Sequence, residues 1–313
     1  KTVVTPPANA IASIVTGDTT VYATTLADML AAIDASGNSV ITLYKDVTNS
    51  ASINVPYSCT LDLNGHKIST TASNAWDVKA VGSENKVITI KNGTIDGAMA
   101  AACWRNGALV VDNCTLIGRG SAAIQILNHK NADANAAAYN EQNIIKNSTL
   151  YSSIWITVSF NSTNNDFTDV SLKFENCDLI AAKTNAVLSN QGKETKPGTY
   201  VLGENVNMYT LGNEYAKTSA PAPTVTGKTV YKANGTFDVT VDGTTLTGLN
   251  KFTTDEAAAP KKAALSVTAG ENGTITLPAT EAEYGAEITA TAAPAEGYEF
   301  SHLLVNGTQV DSL

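Results

Sequence analysis

Positive charge is scarce in this chain, and arginine is nearly absent. Lys and Arg total 20 against 29 Asp and Glu, the formal net charge is −9, and Arg105 and Arg119 are the only arginines. Phosphate backbones are gripped by basic stripes, so nucleic acid is a poor partner, and anionic membrane surfaces are disfavoured on the same ground. No apolar run approaches the roughly 20 residues of a spanning helix, so no membrane insertion is expected of this segment. The four cysteines, Cys59, Cys103, Cys114 and Cys177, have spacings that match no zinc pattern. His66, His129 and His302 lie far apart, and Gly-rich phosphate loops are missing. No cofactor and no metal is therefore expected; calcium is chemically admissible, but no specific motif supports it.

What the chain has instead is repetition. Leu61–Ile68 reads LDLNGHKI, Ile88–Ile95 ITIKNGTI and Leu109–Leu116 LVVDNCTL. Asn143–Leu150 reads NIIKNSTL, Leu172–Leu179 LKFENCDL and Val201–Met208 VLGENVNM. These starts lie 27, 21, 34, 29 and 29 residues apart. A phrase recurring every twenty to thirty residues marks a solenoid, and 313 residues are enough for one large all-β unit or two domains. Stacked, the phrases place apolar residues at positions one, three and eight, which face a core. Asn92, Asn113, Asn147, Asn176 and Asn205 form a column where the chain turns, because Asn tolerates the left-handed conformation and its amides can bond up a ladder. Cys114 and Cys177 share one place in the phrase, as expected of buried thiols.

The fourth column is charged and points outward: Lys91, Asp112, Lys146, Glu175, then Glu204. Signs alternate until Glu175 and Glu204, which this alignment sets side by side on adjacent coils. A carboxylate pair about 5 Å apart suits a retaining glycosidase or half a calcium site. The weak catalytic alternative rests on those two residues; solvated carboxylates or a slipped sixth coil explain them as well.

Ahead of the phrases, Ile11–Thr16 and Thr19–Tyr22 flank a Gly17-Asp18 turn and read as a hairpin. Thr25 and Asp28 form a capping box, and Leu26, Met29, Leu30 and Ile33 share one helical face. A helix over Leu26–Ala35, stopped near Gly37, is expected to lie across the open end of the first coil and cover both its unpaired backbone and its core. The cap spans about residues 1–38. Residues 128–142 are polar and aperiodic and read as an insertion looping out of a coil. Tyr231–Gly243 and Thr244–Phe252 supply the last strands of a unit spanning 1–252. Residues 253–263 read as a linker, and 264–313 as a small β module cut short within its pattern. The chain is read as a piece of a longer protein.

The phrase, the coil length and the Asn column resemble the right-handed parallel β-helix of the pectate lyase-like superfamily. The block from TLADMLAAIDASGNSVITLYKDV to TLDLNGHKI resembles the cap and first coil of β-helix regions in large bacterial cell-surface proteins. LSVTAGENGTITLPATEAEYGAEITATAAPAEGYEF, Leu265 to Phe300, is similar to the internalin-type B repeat. These resemblances imply an all-β chain: a parallel β-helix with an N-terminal capping helix, then a small C-terminal β domain. They imply a place outside the cell, on the bacterial surface or secreted. The acidic, Arg or Lys constellations of the family's enzymes find no matching positions, and Arg119 has no evident acidic neighbours in sequence.

The function expected is therefore a non-catalytic surface protein, an adhesin or display stalk, acting as a monomer. Its partner is a glycan or a host or neighbouring surface protein. A polysaccharide lyase or glycoside hydrolase is the alternative, with a phage-type fibre behind it. Candidate glycan contacts are the outward residues of the strand set after the Asn turn: Asp77, Arg105, Gln125, Trp155 and Thr157. Here Ile154, Ile156, Val158 and Phe160 should face the core, and Trp155 stack on a sugar ring.

Overall fold

The computed structural model describes residues 5–71, 78–80, 86–104, 107–126, 141–161, 167–184, 186–191, 197–218, 222–258, 262–283, 286–305 and 308–310. The chain forms two compact units, Lys1–Ala258 and Ala259–Leu313. Strands are the dominant regular structure in both.

In the first unit the strands pair in parallel, each with its counterpart one circuit later. Before the turn, Leu61, Ile90, Val111, Ile145, Phe174 and Leu202 stand in successive register. After it come Ile68, Ile95, Leu116, Leu150, Leu179 and Met208. A separate six-stranded parallel sheet carries Ile53, Val78, Ala102, Ile124, Val158 and Leu188 in the same order. Side chains alternate along a strand, so one face of each ladder is apolar in every circuit, and these faces merge into one buried core.

The register corrects two of the sequence alignments. Leu61 pairs with Ile90 rather than Ile88, because Leu63–His66 put two extra residues into the turn. Phe174 pairs with Leu202, because Gly203 and Glu204 lengthen the next turn by one. A complete circuit also precedes the first phrase, through Ser39–Leu43, Val47–Asn49 and Ile53–Val55.

Antiparallel strands close both ends of the stack. Ala12–Thr16 pairs antiparallel with Ser39–Leu43 and with Thr19–Ala23, so a hairpin, not the helix, satisfies the first edge. The helix spans only Leu26–Ala31; its Met29, followed by Ile33, plugs the end of the core. Thr25 caps it, accepting from Asp28 N–H at 3.1 Å and donating to Asp28 Oδ2 at 2.7 Å. It ends before Ala35 because the Asp34 carboxylate accepts from Ser36 N–H at 2.8 Å and starts a turn. At the other end Thr244–Thr253 pairs antiparallel with Val206–Thr210.

After Thr224–Gly227 has added one more parallel strand on Thr199–Leu202, the last strand belongs to a hairpin that folds back along the outside of the stack. Ile117, Tyr151 and Ile180 stand in register on the outer face, forming an apolar stripe that the hairpin buries with Val241 and Leu249. Asp242 (φ 49) and Gly243 (φ 72) make its two-residue turn, an Asp-Gly pair suited to φ > 0 at both positions. At the tip Arg119 donates to both Asp96 oxygens at 2.6 and 2.8 Å, and to Asp242 Oδ2 at 2.6 Å. Lys67 Nζ lies 3.5 Å from Asp242 Oδ1. Arg119 therefore has the acidic neighbours that its sequence context does not reveal.

The guanidinium holds the Asp242 carboxyl below its usual range against the opposing effect of burial, with Lys67 adding to the shift. An acid with a lowered folded-state pKa stabilises above its unfolded pKa, and that stabilisation disappears as pH falls through the lowered value. Asp242→Asn is therefore expected to lower the melting temperature at pH 7 and to lower it less as pH falls towards 2. Because the group is partly exposed, the pH 7 shift should be about 2–4 °C or less, measured by calorimetry at both pH values.

Thr253 and Thr254, read from the sequence as linker, are buried within the first unit; Thr254 Oγ1 accepts from Val206 N–H at 3.0 Å. The expected insertion at 128–142 lies outside the described residues except for 141 and 142. Among the described residues the second unit has three short antiparallel ribbons, the first pairing Lys262–Ala264 with Glu281–Glu283. Gly273–Thr276 pairs with Thr291–Pro294, and Leu303–Val305 with Thr308–Val310.

Candidate functional site

The turn between the two main ladders is the most regular surface of the first unit. Asn64, Asn92, Asn113, Asn147, Asn176 and Asn205 all adopt φ between 50 and 60°, the left-handed region that Asn enters more readily than other side chains. Asn113 Nδ2 donates to Asn92 Oδ1 at 3.1 Å, Asn176 to Asn147 at 3.3 Å, and Asn205 to Asn176 at 3.0 Å. Where the run would pass from Asn113 to Asn147, Asn147 Nδ2 turns to Asp112 Oδ1 at 2.8 Å. Asn92 likewise donates to Asp62 at 3.0 Å. Burial works against the Asp62 carboxylate, but hydrogen bonds from Asn92 and Asn64 N–H, together with Lys91, hold its pKa below the ordinary value.

Beside this ladder runs a second column, at the seventh place of the phrase. Thr94, Thr115, Thr149, Asp178 and Asn207 follow one another in register. A shallow groove of ≈640 Å3 lies between the columns from Asp62 and Gly65 to Asn147 and Thr149. A second, of ≈470 Å3, continues from those same two residues to Asn205 and Asn207. Together they make one trough along the stack. Along the first groove the rim charges are matched, with Lys91 Nζ 3.2 Å from Asp62 and Lys146 Nζ 3.2 Å from Asp112, while in the second the Asp178 carboxylate accepts from Asn207 Nδ2 at 2.9 Å. The backbone at its floor is already paired between circuits, as in Asn147 N–H to Glu175 O at 3.0 Å and Asn176 N–H to Glu204 O at 2.8 Å. The threonine column was readable as the recurring Thr before the last apolar residue of three phrases, but the sequence reading did not single it out.

Of the residues expected to contact glycan, the three described do not share an exposed face. Asp77 and Arg105 lie outside the described residues. Gln125, expected outward, is only 1% exposed; it donates to Ser121 Oγ and accepts from Asn161 Nδ2 at 2.9 Å. Thr157 is fully buried, and its N–H donates to Val187 O at 3.0 Å. The period-two reading fails there because the strand is only Val158–Phe160, both faces of which are covered, while residues 153–155 form a bend. Ile154, assigned to the core, is 48% exposed, and Trp155 is half-buried.

The carboxylate pair is also undone by the register. Glu175 stands opposite the position of Gly203, and its Oε1 is 2.6 Å from Lys173 Nζ. Glu204 occupies the extra turn residue and pairs with Lys228 at 2.5 Å. Among the described residues no group of three or more His, Cys, Asp or Glu side chains is placed to hold a metal ion. Cys59, Cys114 and Cys177 are free and buried, and burial pushes their thiols up to about 12, 11 and 12. Cys103 is buried as well.

Comparison with known proteins bears on the second unit. Residues 263–313 match the family model of the divergent InlB B-repeat domain. No curated protein and no solved structure matches the chain significantly. Among the described residues no helix is long and apolar enough to cross a membrane.

Proposed function

We propose that this chain is a non-catalytic part of a bacterial surface protein, an adhesin or display stalk, in which a right-handed parallel β-helix is followed by a B-repeat module. The observation that carries this reading is the B-repeat match at 263–313, joined in one chain to a stack of parallel circuits closed at both ends. Right-handed winding is the general rule for a strand that crosses over to a parallel neighbour. The B-repeat match supports a location outside the cell. The partner proposed is a glycan or a neighbouring surface protein, met by a monomer; nucleic acid remains a poor fit to a net charge of −9.

Catalysis is the less favoured reading. Hydrolysis by paired carboxylates needs two such groups across one bond, and Glu175 and Glu204 are each committed to a separate lysine. The purified chain, incubated overnight with neutral and anionic polysaccharides with and without calcium, is expected to release no new reducing ends and no unsaturated sugars. Release of either would replace this reading by a hydrolase or a lyase.

A further inference from the structure

We propose that the trough beside the asparagine turns binds one linear, uncharged glycan chain laid along the axis of the stack. This rests on the reading of the chain as a non-catalytic binder and assigns that reading a site. From Asn64 to Asn205 the circuits advance in five steps of about 4.8 Å, giving a trough about 24 Å long, enough for several consecutive sugar rings.

An asparagine amide borders the trough at every step, and threonine faces it at three successive ones. An amide has two N–H donors and two acceptor lone pairs, and the ladder uses one of each, so exposed Asn147 and Asn176 each retain a donor and an acceptor for an outside partner. The half-exposed Thr94, Thr115 and Thr149 add hydroxyls that make no hydrogen bond among the described residues. A row of paired donors and acceptors suits vicinal sugar hydroxyls, each of which is both. The rim charges cancel in Asp62–Lys91 and Asp112–Lys146 pairs along the first groove, so a polyion finds no opposing field there, and the Asp178 carboxylate in the second groove, bonded among the described residues only by the Asn207 amide, further disfavours a polyanion. A polypeptide strand is disfavoured because the floor backbone is already paired and the lining offers no apolar pocket for side chains. Repeated weak contacts in series imply that affinity grows with the number of rings engaged.

The test uses the full chain against β-1,4-linked gluco-, xylo- and manno-oligosaccharides of two and six residues, an anionic galacturonan oligomer and an unrelated peptide library, read by calorimetry and on an array. A neutral hexasaccharide should bind, with its disaccharide about tenfold weaker or more. The Thr94→Val, Thr115→Val, Thr149→Val triple variant keeps the branched shape of each strand residue and removes only hydroxyls. It should bind about tenfold more weakly or worse. If the triple variant melts early, Thr115→Lys gives the same answer by blocking the centre of the trough with a residue type already present in that column at Lys67.

The proposal is overturned by failure of every neutral hexasaccharide to bind, by preference for the galacturonan or a peptide, or by hexasaccharide binding that ignores both the triple variant and Thr115→Lys. Loss on Trp155→Ala with the threonine variants unaffected overturns the trough but leaves a glycan-binding surface protein standing. Sugar release in the same tubes overturns the non-catalytic reading itself.

Discussion

Replacing Asn147 by valine should lower the unfolding free energy by about 2–5 kcal/mol, while Asn147→Gly should cost roughly half as much. Two contributions add in the valine variant. Asn147 sits at φ 51, where a side chain branched at Cβ is strained by about 1–2 kcal/mol. Its amide also donates to Asp112 Oδ1 at 2.8 Å and accepts from Asn176 Nδ2 at 3.3 Å, each bond contributing about 0.5–1.5 kcal/mol. Glycine restores the backbone freedom and loses only the bonds. Urea denaturation of both variants separates the two effects; equal losses would mean that the left-handed turn carries no strain. Asn147 lies in a middle circuit, whose contacts pass to neighbours on both sides, so the loss cannot be confined to a fraying end.

Phe160→Ala is expected to cost about 3–5 kcal/mol, the range for emptying a large aromatic site in a core. Phe160 is fully buried, with ring centroids 5.2 Å from Phe167 and 4.7 Å from Tyr200. The site has little means of collapsing. Tyr200 is held by hydrogen bonds from its hydroxyl to Ser189 O at 2.8 Å and Val158 O at 3.2 Å. Across the ring, Gly198 comes so close that an added Cβ would lie 2.4 Å from Phe160 Cζ, so the neighbour facing the void has no side chain to fill it. Phe160→Leu, which retains most of the apolar bulk, should cost far less. Chemical denaturation of the two variants checks both expectations, and a Phe160→Ala protein as stable as the parent would refute this description of the core.

Local and repeated features were legible in the sequence. The asparagine turns, the apolar columns and the Thr25 cap each depend on a few adjacent residues, and their chemistry declares itself without tertiary context. What escaped depends on distance. Turn length is invisible to a strand pattern, so the two extra residues at Leu63–His66 and the one at Glu204 shifted the paired positions and set Glu175 beside the wrong neighbour. Gln125 and Thr157 look outward by alternation, yet the far face of their sheet is covered too. The hairpin of Phe237–Val241 and Thr244–Thr253 alternates like any solenoid strand. Its return along the stack is set by the apolar stripe of Ile117, Tyr151 and Ile180, and by an Arg119–Asp242 contact between residues 123 positions apart.

The candidate site was half legible for the same reason. The seventh-place threonines recur in three of the six phrases, against five for the fifth-place asparagines. That they border a trough follows only once the circuits are in register and the turn residues are known to share one line.

Register is therefore the point on which everything else depends, and engineered cysteines read it directly. Thr115 and Thr149 are partners in adjacent circuits, so their Cα atoms lie about 4.8 Å apart, inside the roughly 4.4–6.8 Å that a disulfide spans. Thr115 and Asp178 are two steps apart, about 9.6 Å, beyond the reach of a disulfide without backbone movement. The native thiols are buried and should not compete under mild oxidation. Non-reducing mass spectrometry should find a 115–149 bond in the Thr115→Cys, Thr149→Cys protein and no 115–178 bond in the Thr115→Cys, Asp178→Cys protein. A 115–178 bond formed as readily, or a 115–149 pair that stays reduced, would contradict the stacked circuits.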